Sequence, residues 1–128
     1  MTMRKILLID DEDDIREVAM LTLETMGDFE VFTASSGLAG VEVAAAVQPD
    51  IVLLDVMMPE IDGPATLALL RETAATRDIP VIFMTAKVQV SDRRRLSELG
   101  ACGIISKPFD PMTLAEEVNA ILNGAVTP

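Results

Sequence analysis

Five short apolar runs, each followed by a stretch of helical periodicity, leave this chain few folds to choose from. The runs are Ile6-Leu7-Leu8-Ile9, Glu30-Val31-Phe32-Thr33, Ile51-Val52-Leu53-Leu54, Val81-Ile82-Phe83-Met84 and Gly103-Ile104-Ile105-Ser106. The first, third and fourth are apolar throughout, the pattern of strands buried on both faces of a parallel sheet. After the first run, Ile15, Val18, Ala19, Leu23 and Met26 recur at helical spacing, and Gly27 is a natural stop. The last helix is expected to start with Asp110 as N-cap and Pro111 in the first helical position, burying Leu114, Val118, Ile121 and Leu122. Helices near residues 38–47, 65–72 and 92–99 fill the remaining intervals.

Five strand–helix repeats in 128 residues predict one α/β domain. The expected fold is a flavodoxin-like (βα)5 arrangement: a doubly wound five-stranded parallel sheet, strand order 2-1-3-4-5, with helices on both faces. Residues 1–124 are expected to form the domain and 125–128 a short tail, with no output domain in this sequence. In such sheets the site lies beyond the carboxyl ends of the strands, at the switch point between the first and third.

Composition excludes several chemistries. The chain has no histidine, which removes Ser-His and Cys-His nucleophiles and histidine-held zinc. Any metal here must favour oxygen ligands. Cys102 is the only cysteine, so no internal disulfide forms, and it is expected to be a small core residue. With 21 acidic and 10 basic residues, the net charge of −11 argues against direct nucleic-acid binding. Arg93-Arg94-Arg95 is the one basic cluster, expected as a solvated helix face and, second, as a contact for an acidic protein partner. No apolar run reaches the length of a membrane span and no signal peptide precedes the first strand, so a soluble, cytoplasmic protein is expected.

At the predicted strand ends stand Asp10-Asp11 after the first, Asp55 after the third, Thr85-Ala86 after the fourth and Lys107-Pro108 after the fifth. Taken singly each has an ordinary explanation. Asp10 to Asp14 reads as a solvated acidic helix start, Asp55 as a turn residue, Lys107 as a surface charge. Taken together they put three mutually repelling carboxylates at one sheet edge, which calls for a neutralising cation. Magnesium suits one or two carboxylates plus water and phosphate oxygens, and Lys107 adds positive charge and a pairing partner for Asp55.

These residues carry a family likeness. With Asp55-x-x-Met58-Pro59-x-x-Asp62-Gly63, Thr85-Ala86 and Lys107-Pro108-Phe109, the chain resembles the CheY-like receiver domains of two-component response regulators over essentially its whole length. The resemblance implies that Asp55 is the phosphoacceptor, served by a phosphohistidine on a sensor histidine kinase or phosphotransfer protein. It implies Mg2+ held by Asp11 and Asp55, by Asp10 through water, and by the Met57 carbonyl. Thr85, the Ala86 amide and Lys107 would meet the phosphoryl oxygens, and the Lys107-Pro108 bond would be cis. Such a protein is a signalling phosphoacceptor that assists its own phosphorylation and dephosphorylation, rather than an enzyme. Its downstream partner would bind the face of the fourth helix, fifth strand and fifth helix.

One departure stands out. Receivers usually carry Tyr or Phe three residues before the lysine, where this chain has Ile104. The positions two beyond Asp55 and Thr85, which tune phosphoryl lifetime in the family, hold Met57 and Lys87. Two rivals remain at this level. A magnesium-dependent phosphatase of the haloacid-dehalogenase type would use Asp11 in Asp11-Glu12-Asp13, leaving Asp55 unexplained. A flavodoxin lacks support, since the chain has no Ser/Thr-rich phosphate loop after its first strand and no Tyr or Trp. The sequence ends just past the last helix, and with Met1 directly before the first strand a stand-alone regulator is expected over a receiver excised from a longer regulator or hybrid kinase.

Overall fold

A computed structural model describes residues 4–86 and 89–124. Five parallel strands form the sheet: β1 (Arg4–Ile9), β2 (Phe29–Ala34), β3 (Ile51–Asp55), β4 (Val81–Thr85) and β5 (Gly103–Ser106), in the order β2-β1-β3-β4-β5. The helices α1 (Asp13–Met26), α2 (Gly37–Val47), α3 (Gly63–Glu72), α4 (Val90–Glu98) and α5 (Leu114–Leu122) connect and follow them. The expected flavodoxin-like order is therefore the observed one. No helix among the described residues is long and apolar enough to cross a membrane.

Strand side chains alternate between two cores, which is why the inner strands are continuously apolar over residues 6–9, 51–54 and 81–84. Ile6, Leu8, Ile51, Leu53, Ile82, Met84 and Ile105 pack with Ala19 and Leu23 of α1 and with Leu114, Ala115 and Val118 of α5. Leu7, Ile9, Val52, Leu54, Val81 and Phe83 pack with Ala44 of α2, Leu67 and Leu70 of α3, and Leu96 of α4. All the inner-strand residues of β3 and β4 are buried. The two cores sandwich the sheet.

Three sequence expectations change. On α1, Val18 and Met26 are open to solvent, and the inward stripe runs through Ala19, Thr22 and Leu23, with Met20 packed against the core. Asp110 does not cap α5 directly. Its carboxylate accepts from the Met112 amide at 2.9 Å and its carbonyl from Thr113 and Leu114 at 3.0 Å, closing a separate turn that contains Pro111. Thr113 has φ −119, away from helical values, so α5 begins only at Leu114. Cys102 is not in the core but exposed, in the bend that leads into β5. Its neighbours Ala101 and Gly103 are only half-buried on this approach to an edge strand, Ala101 packing against the rim of the second core.

Candidate functional site: an acidic cluster at the switch point

The chain leaves β1 for β2 on one side and enters β3 on the other, so the loops after β1 and β3 diverge and open a crevice. Asp10 follows β1 and is completely buried. Four bonds hold it, the last of them from Lys107. Its amide donates to the Ala34 carbonyl at 3.1 Å, its Oδ1 accepts from the Glu12 amide at 2.9 Å, and its carbonyl accepts from Arg16 Nη1 at 2.6 Å. Asp55 ends β3 and is also buried, with the Met57 amide 3.4 Å from its Oδ1.

Asp10, Asp11, Glu12 and Asp55 each bring a carboxylate oxygen to within 4.8 Å of the others. Lys107 enters from β5, its Nζ 3.0 Å from Asp10 Oδ2, 3.3 Å from Asp55 Oδ2 and 3.4 Å from Glu12 Oε1. One ammonium does not balance four carboxylates. Burial and then the Asp10 charge push the Asp55 carboxyl up to about 6, although Lys107 pulls the other way. Burial lowers the Lys107 ammonium, but its hydrogen bond to Asp10 and the charges of Asp10 and Asp55 outweigh that and hold it above its ordinary value. An all-oxygen donor set with surplus negative charge suits a hard divalent cation, so the cluster can coordinate such an ion.

Glu12 belongs to this cluster, and sequence reasoning treated it as part of a solvated helix start. Its signal was adjacency to Asp10-Asp11, but only the arrival of Lys107 from residues distant in sequence shows where its carboxylate points. The other expected residues stand at the same sheet edge. Thr85 is buried, lies level with Ser106, and accepts from the Lys107 amide at 2.9 Å through its carbonyl. Ala86 follows it and is exposed. Met57 is exposed in the loop after Asp55, and Ile104 is half-buried against the core on the α4 side. The Lys107-Pro108 bond is cis. Lys87 lies outside the described residues. Arg93, Arg94 and Arg95 form an exposed face of α4, with Arg93 Nη2 3.3 Å from Ser106 Oγ.

The loop after Asp55 is set by Asp62-Gly63. Asp62 caps α3, accepting from the Ala65 amide at 2.9 Å, with Pro64 in the first turn. Gly63 then lies against the strand end itself: its amide donates to Val56 at 2.9 Å, and a Cβ on it would stand 2.6 Å from the Asp55 carbonyl oxygen and 2.8 Å from the Val56 Cα. Backbone atoms cannot give way as a side chain can. Gly63→Ala is therefore expected to cost about 1–3 kcal/mol and lower the melting temperature by several degrees. A melting curve unchanged by this substitution would mean that α3 does not press on Asp55.

A response regulator receiver domain model matches residues 6–119, which contain every element of the cluster. The chain belongs to this family. A receiver is the phosphoacceptor module of two-component signalling rather than a conventional enzyme, and both the phosphatase and the flavodoxin readings fall away. The receiver is 37% identical over 120 residues to the DNA-binding dual master transcriptional regulator RpaA of Synechocystis sp., covering 94% of this chain and 49% of that protein. It is 39% identical over 119 residues to the phosphate regulon transcriptional regulatory protein PhoB of Klebsiella pneumoniae, covering 93% of this chain and 52% of that one. The chain thus spans about half the length of these curated relatives. Among solved structures, the chemotaxis protein CheY4 of Vibrio cholerae superposes with a TM-score of 0.86 at 28% identity, over 94% of this chain and 99% of that one.

Proposed function

We propose that Asp55 is the phosphoacceptor of this receiver, charged from a phosphohistidine on a sensor histidine kinase or phosphotransfer protein. The observation that carries this reading is the position of Asp55: a buried carboxylate ending a central strand at the switch point, in reach of both Lys107 and the acidic cluster. With its carboxyl near 6, Asp55 is ionised at neutral pH and attacks without a general base. One Asp55 oxygen bonds to phosphorus as the bond from phosphorus to the imidazole nitrogen breaks. The imidazole, protonated on its other nitrogen, departs neutral with the electron pair of the broken bond.

The fitting metal is magnesium, which Asp11, Asp55 and the Met57 carbonyl would hold directly and Asp10 through water. When bound it supplies positive charge to the phosphoryl oxygens. Lys107 then trades its contact with Asp55 for a phosphoryl oxygen, and the Thr85 hydroxyl and Ala86 amide donate to the others. This reading puts the chain in the cytoplasm with its phosphodonor. Mapping tests it: acetyl phosphate with magnesium should leave an acyl phosphate on the peptide containing Asp55. Label on Asp11 instead would sink the assignment.

Readout follows from the same chemistry. A phosphoryl group on Asp55 offers Thr85 a charged acceptor and draws its hydroxyl inward. Ile104, β-branched and stiff, does not swing through a wide arc as a tyrosine does. The response passes instead to α4, where Leu96 is the only buried residue, and so to a partner on the face of α4, β5 and α5. The exposed Arg93, Arg94 and Arg95 suit an acidic partner. Beryllofluoride, which mimics the phosphoryl group, is expected to change amide exchange in α4 by at least about threefold in the wild type and in Ile104→Val. Thr85→Ala should lose that change, and an undiminished response in it would overturn this route.

A further inference from the structure

Arg16 occupies an unfavourable place. It lies in the first turns of α1, where the helix dipole repels a cation. Yet it is largely covered, with its side chain 18% exposed, and both ends of its guanidinium are engaged. Nη1 donates to the Asp10 carbonyl at 2.6 Å, and Nη2 pairs with the Asp13 carboxylate. Asp10 thus has two separate restraints on the loop side. Its own carboxylate ties down the Glu12 amide, and the arginine ties down its carbonyl.

We infer that Arg16 is a positioning residue for the acidic site, a clamp that holds the loop from Asp10 to Asp13 so that Asp10, Asp11 and Glu12 face Asp55 against their mutual repulsion. The inference rests on the reading of that cluster as a divalent-cation site. Four carboxylates within 4.8 Å of one another push the loop outward when no cation is bound. The loop is short, and Lys107 fastens it from the far side at Asp10 and Glu12. The guanidinium fork spans a carbonyl and a carboxylate with two different nitrogens, a geometry that a lysine ammonium does not reproduce. Arg16 does not touch the reacting atoms; it acts through Asp10.

The sign of one measurement separates this role from simple electrostatics. Removing a positive charge beside a cation site tightens cation binding through charge alone. Removing a clamp loosens it, since partners that orient metal ligands typically govern affinity by about 10–100-fold. Calorimetric titration with Mn2+ is therefore expected to show binding weaker by about tenfold or more in both Arg16→Gln and Arg16→Lys. Arg16→Lys keeps the charge, so its loss isolates the fork. Melting curves in EDTA identify a variant that has merely unfolded, in which case Arg16→Lys, the milder change, decides. Unchanged or tighter Mn2+ binding in folded Arg16→Lys would overturn the clamp while leaving the cation site intact. A wild-type protein that binds no Mn2+ would overturn the cation site and the clamp with it.

Discussion

Asp55→Asn is expected to abolish labelling by acetyl phosphate, with a fall of at least about a hundredfold in rate. The substitution keeps the shape of the side chain but replaces a carboxylate oxygen by an amide, which is not a nucleophile at neutral pH. Asp10 and Thr85, the other buried polar groups at this edge, do not substitute for it. Asp10 is buried with its Oδ1 committed to the Glu12 amide and its Oδ2 to Lys107, and Thr85 is a neutral hydroxyl with no histidine in the chain to activate it. Asp11→Asn should behave differently. It leaves the nucleophile in place and removes one cation ligand, so residual labelling that demands more magnesium is expected. Radiolabel from acetyl phosphate, counted over time for the three proteins, checks both statements. Wild-type labelling in Asp55→Asn would show that the acceptor lies elsewhere.

The same substitution is expected to stabilise the protein in EDTA. The Asp55 carboxyl stands at about 6 in the fold against 3.8 for the unperturbed group, so folding favours its neutral form. A raised carboxyl contributes stability that is fully present below about pH 3.8 and is lost as pH rises through about 6. At pH 7.5 the ionised Asp55 therefore weighs against the fold by about 2–3 kcal/mol, from a shift of about two pKa units. Asparagine resembles the neutral form and escapes that cost. Asp55→Asn should melt several degrees above wild type at pH 7.5, and the gap should close as pH falls towards 4. Magnesium should close it from the other side, stabilising the wild type by binding the native state while doing less for the variant. Thermal melts at the two pH values, with and without magnesium, give the comparison. Superimposed curves at pH 7.5 in EDTA would mean that neither burial nor the Asp10 charge disfavours the ionised Asp55 in the fold.

The two predictions draw on one arrangement. A carboxylate placed where its charge is unwelcome costs stability at rest, and the cation and phosphoryl chemistry proposed for the site would relieve that cost. On the proposed reading, stability is given up at Asp55 because a nucleophile must stay near its reactants and away from water's screening. The half-buried Lys107 keeps the cost bounded, since its ammonium lies within 3.4 Å of three of the carboxylates.

Sequence alone determined the architecture, because burial on both faces of a parallel sheet demands apolar residues at consecutive positions. Ile6 to Ile9, Ile51 to Leu54 and Val81 to Met84 satisfy that demand and are entirely buried. It also determined which polar residues stand at the carboxyl ends of the strands, since strand order and the alternation of elements leave Asp10, Asp55, Thr85 and Lys107 nowhere else to be. What only the tertiary structure decided lies off the strands, where periodicity has no hold. Which α1 residues turn inward depended on how the helix rolls against the sheet, so Val18 and Met26 were misread and Thr22 was missed. Cys102 looked like a core residue between small neighbours but sits in a bend at an edge strand, outside both cores. Glu12 and Arg16 were the largest omissions. Their partners, Lys107 for one and the Asp10 carbonyl for the other, are met through side chains long enough to reach across a loop, and that reach leaves no mark in local spacing.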